Sequence, residues 1–318
     1  MASSIKLVLL SALAVLLLLP SSGDSVITTK GYVTDHGGPL LKGDVNLAIL
    51  WYGNVGRIQQ SVILKFIGSL SKCNPNLDPQ VSTWWNMVES YQSAGKRRHE
   101  GEGDLKKDAP PTPIRVRIVN QTADRSYSFG KTITPHLIPD LVKKATEGAS
   151  PSTVAVILTA RDVSVKTLCT GKCSEHGSVG KGLSSQLYVM VGNPMDECPQ
   201  DCAWPFYKSV LRPVTFSMVP PNGDVAADAM VISLAQALAG LVTNPYHNGY
   251  FLQGYRHQIE AATACPNMFG SGAFPGYTGK MRFDPRTGGC FNAHGPAGEK
   301  FLLPALWDPA TSSCWTLI

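Results

Sequence analysis

The sequence lacks the local patterns that most often disclose a catalytic site. It has no Gly-x-Ser-x-Gly turn and no dinucleotide-binding glycine pattern, and "GSVGKG" (177–182) has a Gly-Lys without the length of a phosphate loop. Seven histidines are scattered between His36 and His294, and none is spaced His-x₃-His. Charge is sparse too, with 16% of the 318 residues being Asp, Glu, Lys or Arg. These absences exclude the usual serine-hydrolase, nucleotide and zinc-helix signatures, and no spacing of acids nominates a glycosidase pair. No internal repeat stands out. No metal ligand and no cofactor is therefore expected.

Long apolar runs are equally scarce. Leu7–Leu19 is one, 13 residues between Lys6 and Pro20. A bilayer span needs roughly 20, so residues 1–23 read as a secretory signal peptide cleaved near Gly23. Residues 225–242 come nearest to a second run, but Asp228, Ser233 and Gln236 interrupt them, and no membrane span is expected after signal removal. Losing 1–23 removes one Lys and no acid, which leaves 27 basic and 23 acidic side chains, a net charge of +4. So slight an excess gives no reason to expect a nucleic-acid partner. Much of it lies in "GKRRHEGEGDLKK" (95–107), where interleaved acids suit a solvated loop.

What is present is a cysteine framework. The eight are Cys73, Cys169, Cys173, Cys198, Cys202, Cys265, Cys290 and Cys314. An even number behind a signal peptide implies disulfides, and eight cysteines allow about 105 full pairings. "CTGKC" and "CPQDC" each hold three residues between cysteines, whereas zinc knuckles favour two, so disulfides are preferred to a metal site there. Asn120-Gln121-Thr122 is the one glycosylation sequon, which makes Asn120 a candidate glycan carrier.

Periodicity supplies the elements. "DVNLAILWYG" (44–53) alternates as a strand; residues 57–71 change to helical spacing at Ile58, Val62 and Phe66. "VSTWWNMVESYQSAG" reads as a second helix closed by Gly95, "IRVRIVN" as a strand, and "LIPDLVKKATEG" as a helix stopping at Gly148. "TVAVILTA" (153–160) is a continuous branched run, as in a strand covered on both faces, and "SQLYVMVGN" is another strand. A long helix begins near Asp224, with Asn222 and Asp224 offering oxygens to its first amides, and Pro245 ends it. Beyond Pro245 come Gly- and Pro-rich turns with short strands such as "KMRFD". The order predicts an α/β fold: a layered mixed sheet with helices, one of them long, central and buried, then a loop-rich, disulfide-stapled C-terminal part. One domain over 24–318 is expected, with an α/β core at 24–245 and the loop-rich part at 246–318.

The long helix invites comparison with a metallopeptidase's metal-binding helix, which needs His at i and i+4 with Glu between them. Counting back from Thr243-Asn244-Pro245, those slots hold Gln236, Ala237 and Gly240. None can replace imidazole or a general base, so only a metallopeptidase-like scaffold without metal ligands survives the comparison, and an ordinary core helix is the simpler alternative. Ring clusters at "TWWN", "CAWPFY", "NPYHNGYF" and "GAFPGY" lie beside turn residues, where they either stack on a sugar or fill a core.

Several blocks together resemble the EXORDIUM-like, or phosphate-induced protein, family of secreted plant proteins. They include "GDVNLAILWYG", "STWWNMVESY", "CPQDCAWPFY", "NGDVAADAMVISLAQALAGLVTNPYHNGYF" and "GAFPGYTGKMRFDPRTGG", in order from about residue 26 to the C-terminus. The resemblance implies secretion to the apoplast or cell wall, and a part in brassinosteroid-linked cell expansion and in responses to carbon or phosphate status. It supplies no catalytic residues. Tyr207 stands where the family usually has His, segment 96–108 looks longer or more charged than usual, and Cys73 and Cys290 occupy positions that are not usually cysteine, which suggests a Cys73–Cys290 bridge. The expected molecular role is binding of a wall polysaccharide or a cell-surface protein. The alternative is an extracellular hydrolase, either a glycosidase or an atypical metallopeptidase. Low proline repetition and a substantial core argue against a structural wall protein.

Overall fold

The computed structural model describes residues 33–94, 111–208, 217–254 and 257–318. The expected signal segment 1–23, Gly95 and the basic stretch 96–108 lie outside these residues. Thr132–Ile133 (β4) pairs in parallel with Ser164–Val165 (β6), and four apolar-patterned strands join one unpatterned edge strand in a five-stranded sheet, in the order β3-β2-β5-β8-β7. These strands are Arg115–Asp124 (β3), Asp44–Tyr52 (β2), Val154–Thr159 (β5), Gln186–Val191 (β8) and Ser174–Val179 (β7). The first four run parallel and β7 pairs antiparallel at one edge. All six residues of β5 are buried, as its unbroken apolar run requires of a central strand.

Helices cover this sheet. Arg57–Leu70 (α1) buries Val62, Ile63, Phe66, Ile67 and Leu70, but Ile58, expected on the same stripe, is exposed because it lies in the first turn, before the helix reaches the core. Val81–Ala94 (α2) buries Trp84 and Trp85, whose indole N–H groups donate to the Pro304 and Ile114 carbonyls at 2.7 and 3.1 Å. The "TWWN" rings are thus core residues. Ile138–Ala145 (α3) follows β3 and ends three residues before Gly148. Pro199–Cys202 (α4) is a single turn.

Val225–Thr243 (α5) is the spine of the fold. Every residue in it is buried except Val225 and Gln236. It is long and apolar enough to cross a membrane, but its apolar window is 89% buried inside the fold, packed against α1, β7 and β8. Asp224 caps it as expected, accepting from the Ala227 amide at 2.8 Å. Asn222 does not cap it. Its backbone and side-chain N–H groups donate instead to the two oxygens of Asp228, at 2.9 and 2.6 Å, because a carboxylate buried in the first turn needs those donors more than the helix amides need another acceptor.

The chain after α5 is built from short strands. Tyr250–Gln253 (β9) lies between Val33–Asp35 (β1) and Gln258–Glu260 (β10) in a separate antiparallel sheet. Antiparallel pairs follow at Arg282–Phe283 with Cys290–Phe291, Ala293–His294 with Lys300–Phe301, and Leu306–Asp308 with Ser313–Trp315. Buried Asn292 ties these loops together, donating to the Phe269 and Leu303 carbonyls and accepting from the Leu303 amide, each at 2.7 Å. Phe301, Leu303 and Leu306 enter the same hydrophobic cluster as the sheet, so the core draws on residues both before and after 245.

Three disulfides brace this arrangement: Cys169–Cys198, Cys173–Cys202 and Cys265–Cys314. The two Cys-x₃-Cys segments pair with each other, in register. The expected Cys73–Cys290 bridge is not formed: Cys73 is an exposed thiol in the loop after α1, and Cys290 is a buried thiol paired in its own hairpin. One thiol faces solvent and the other is packed in the interior, so the two sulfurs are not presented to each other. Sequence reasoning also missed β7, since Ser-Glu-His-Gly-Ser-Val carries no apolar alternation; it forms because an edge strand needs only one neighbour.

Burial pushes the Asp228 carboxyl up to about 7, against the lowering effect of the Asn222 hydrogen bonds. A carboxyl that binds its proton more tightly when folded loses stability as pH rises from its ordinary value of 3.8 through about 7, and is constant above that. Unfolding free energy should therefore fall by up to roughly 1.4 kcal/mol per pH unit across that window. Denaturant titrations of the wild type and Asp228→Asn at several pH values check this, and the wild type should lose stability relative to the variant as pH rises through that window.

Candidate functional site

The interruption in the cover over the middle of α5, at Gln236, opens onto a cavity of about 540 Å³. Gln236 and Ala237 form its floor. Its walls come from β7, the Cys169–Cys173 loop, β9 and β10. Disulfide Cys173–Cys202 lies at its rim and holds the start of β7 against α4.

Three side chains from distant parts of the sequence meet in this cavity. His176 projects from β7, Glu260 ends β10, and His247 follows the Pro245 stop of α5. His176 Nε2 lies 2.8 Å from Glu260 Oε1, and His247 Nδ1 lies 3.8 Å from the same oxygen. The two imidazoles stack, centroids 5.0 Å apart and planes inclined by 23°. His176 is buried; His247 is more than half exposed and has a left-handed backbone, φ +56°. Asn244, the residue that terminates α5, donates to Glu260 Oε1 at 2.6 Å and accepts from the Gly249 amide at 2.7 Å, so the helix end orients the carboxylate.

The electrostatics favour an ionised Glu260. Burial alone would raise its carboxyl, but the His176, His247 and Asn244 donors outweigh burial and hold it down at about 2. The same carboxylate raises the His247 imidazole above its ordinary value, against partial burial. Nearby, Glu175 accepts from Thr167 Oγ1 at 2.9 Å and pairs with Lys172 at 2.7 Å. The group can hold a proton or a cation between two imidazoles and one carboxylate, at a surface open to ligand.

The positions singled out by the metallopeptidase comparison lie at this site, though not as ligands. Gln236 and Ala237 line the cavity, and Gly240 backs the His176–Glu260 pair. A Cβ at Gly240 would stand 2.8 Å from the His176 ring and 3.0 Å from Glu260 Oε2, so the absence of a side chain there is what admits the ring. The stripe Ser233, Gln236 and Gly240, the least apolar on α5, is the stripe that faces β7 and the cavity; the Ser233 carbonyl accepts from Ser174. The converging side chains themselves, His176, His247 and Glu260, were not legible from spacing, because they lie 71 and 13 residues apart in sequence. Here the expectation of no metal ligands meets a set that could hold one.

The remaining candidates are dispersed. Trp204 and Phe206 of "CAWPFY" are buried, and Tyr207 is exposed. Tyr250 is buried and Phe251 lines the cavity. Phe274 and Tyr277 of "GAFPGY" are both exposed. Asn120 is half-buried on β3, its amide 3.5 Å from the Glu147 carbonyl.

Fold and site together define a disulfide-braced α/β protein with an open polar cleft over its central helix. Residues 33–317 match the family described as "Phosphate-induced protein 1 conserved region". Curated relatives include Protein EXORDIUM of Arabidopsis thaliana, 39% identical over 290 residues and covering 89% of this chain and 88% of that protein. Protein EXORDIUM-like 2 of the same plant is 39% identical with the same coverage. Protein PHOSPHATE-INDUCED 1 of Nicotiana tabacum is 37% identical over 289 residues, covering 89% of this chain and 87% of that one. The chain belongs to the phosphate-induced protein 1, or EXORDIUM, family. No solved structure matches it.

Gly240→Ala tests the role of the bare helix position. Alanine should gain roughly 1 kcal/mol in helix propensity, yet forcing the His176 ring aside should cost about 1–3 kcal/mol. The expected result is a net lower unfolding midpoint with perturbed His176 ring resonances. A variant more stable than wild type, with those resonances unmoved, would show that the close approach imposes nothing.

Proposed function

We propose that this protein is secreted, acts in the apoplast or cell wall, and promotes cell expansion by binding a wall polysaccharide. Family membership supports the growth-related setting, and the apolar 1–23 segment with three disulfides supports export to an oxidising compartment.

The observation that carries the binding reading is a pair of exposed rings. Phe274 and Tyr277 are 57% and 39% exposed, and their centroids are 5.2 Å apart. Reciprocal backbone hydrogen bonds, Phe274 N to Tyr277 O at 3.1 Å and Tyr277 N to Phe274 O at 2.8 Å, hold them on one tight turn. A fixed pair of flat apolar faces beside a phenol hydroxyl suits the apolar face and hydroxyl rim of a sugar. Ordering two rings in water is unfavourable without a partner to cover them.

Pull-down of the mature protein with insoluble cellulose, xyloglucan and pectin tests this. Phe274→Ala and Tyr277→Ala should each weaken retention by about 5- to 30-fold, a step of roughly 1–2 kcal/mol, and the double variant should lose it. No retention of the wild type, or full retention of the double variant, defeats the polysaccharide reading and turns attention to a cell-surface protein partner.

The His176–Glu260–His247 group favours a second reading, an extracellular hydrolase on a metallopeptidase-like scaffold, because an ionised carboxylate that raises the imidazole beside it in an open cleft gives that imidazole a proton to exchange with a substrate. Under this reading, wild type releases soluble fragments from wall material and Glu260→Gln releases none while remaining folded. No release by wild type leaves the binding reading alone.

A further inference from the structure

We propose that His176, His247 and Glu260 form a binding site for one divalent transition-metal ion, zinc by donor preference, open on one side to the cavity. One donor atom from each lies within 4.8 Å of one donor atom of each of the others. Two imidazole nitrogens and one carboxylate oxygen are a borderline N/O set, which suits zinc better than the oxygen-seeking calcium or magnesium. Three protein ligands with a vacant fourth direction is the arrangement of a zinc ion that meets an exogenous ligand. Here the fourth direction is the cavity, which Gln236 also lines.

The donor atoms need move little, although the exposed His247 ring must turn out of its stack on His176 so that both ring planes meet at the ion. Two metal–ligand bonds of about 2.0–2.1 Å at a tetrahedral angle set their donor atoms roughly 3.3 Å apart. The His176–Glu260 contact, at 2.8 Å, would open by about half an ångström, and the His247–Glu260 contact, at 3.8 Å, would close by about the same. Glu260 already has the outer partner that a ligating carboxylate needs, since Asn244 donates to it and is itself anchored by Gly249. Gly240 leaves the space that the His176 ring occupies, so the ring keeps its place beside Glu260.

One feature works against high affinity. Ligation through Nε2 puts the His176 ring proton on Nδ1, which is buried and has no acceptor among the described residues, so the site should bind less tightly than a fully braced one. The other cluster with metal-ligating elements, Cys169, Cys198 and Cys202, is unavailable because all three sulfurs are in disulfides.

The inference does not depend on polysaccharide binding, and its test uses the protein alone. The mature chain is secreted with its disulfides intact, purified without chelator or polyhistidine tag, equilibrated with zinc sulfate, passed over a desalting column and assayed by elemental mass spectrometry. Wild type should retain one zinc per chain. His247→Ala, at an exposed ring, and Glu260→Gln, which keeps shape and hydrogen bonding, should each bind at least about tenfold more weakly by competition with a chromogenic chelator, with unchanged near-ultraviolet circular dichroism. Wild type without stoichiometric zinc overturns the proposal. So does equal retention by both folded variants, which would place the metal elsewhere.

Discussion

A helix with no polar face must be covered on every side, and that constraint organises this molecule. α5 buries nearly its whole length. The sheet and α1 cannot enclose it alone, and the chain beyond Pro245 contributes the rest of the continuous core. This explains why a segment so poor in regular structure is held by buried Asn292, the Trp84 and Tyr91 hydrogen bonds to the Pro304 and Trp307 carbonyls, and the Cys265–Cys314 disulfide. Loops that carry core residues need side-chain and covalent ties, because they have few ladder hydrogen bonds of their own.

The site is a consequence of the place in the middle of α5 where that cover is incomplete. Gln236 reaches the cavity, and one turn later Gly240 withdraws so that β7 can bring an imidazole against the helix. The end of α5 then contributes twice: Asn244 orients Glu260, and the left-handed turn at His247 lays a second ring over His176. Helix, edge strand and terminal loop are thus fixed relative to one another by the same burial that stabilises the fold. The two parallel disulfides between the Cys-x₃-Cys segments hold β7 and α4 at the rim, where an edge strand would otherwise fray.

The cavity and the exposed rings are separate devices. Phe274 and Tyr277 form an apolar, uncharged platform, whereas the cavity is polar and charged, with an ionised carboxylate at its centre. A large extended ligand suits the first and a cation or a small polar group suits the second. The two surfaces therefore differ in chemistry, and the polysaccharide and metal proposals stand or fall separately.

The element order was readable from the sequence, because period and length are local properties: the strands near 44–53, 153–160 and 185–193 and the helices near 57–71 and 224–244 stand within a few residues of where their patterns placed them. The cysteine count disclosed disulfides, and the odd Gln-Ala-Gly pattern marked the part of α5 that faces the cavity. Partners in space were another matter. β7 has no apolar alternation to announce it, Asn222 turns from the helix amides to Asp228, and Cys73 and Cys290 stay apart. Above all, His176, His247 and Glu260 look like unrelated polar residues until the sheet edge, the helix end and a short strand are packed together. Sequence determines which segments must bury their faces, since hydrophobicity is carried by each residue. Only tertiary packing decides which polar groups then share a carboxylate, since that depends on distances between segments that no local pattern encodes.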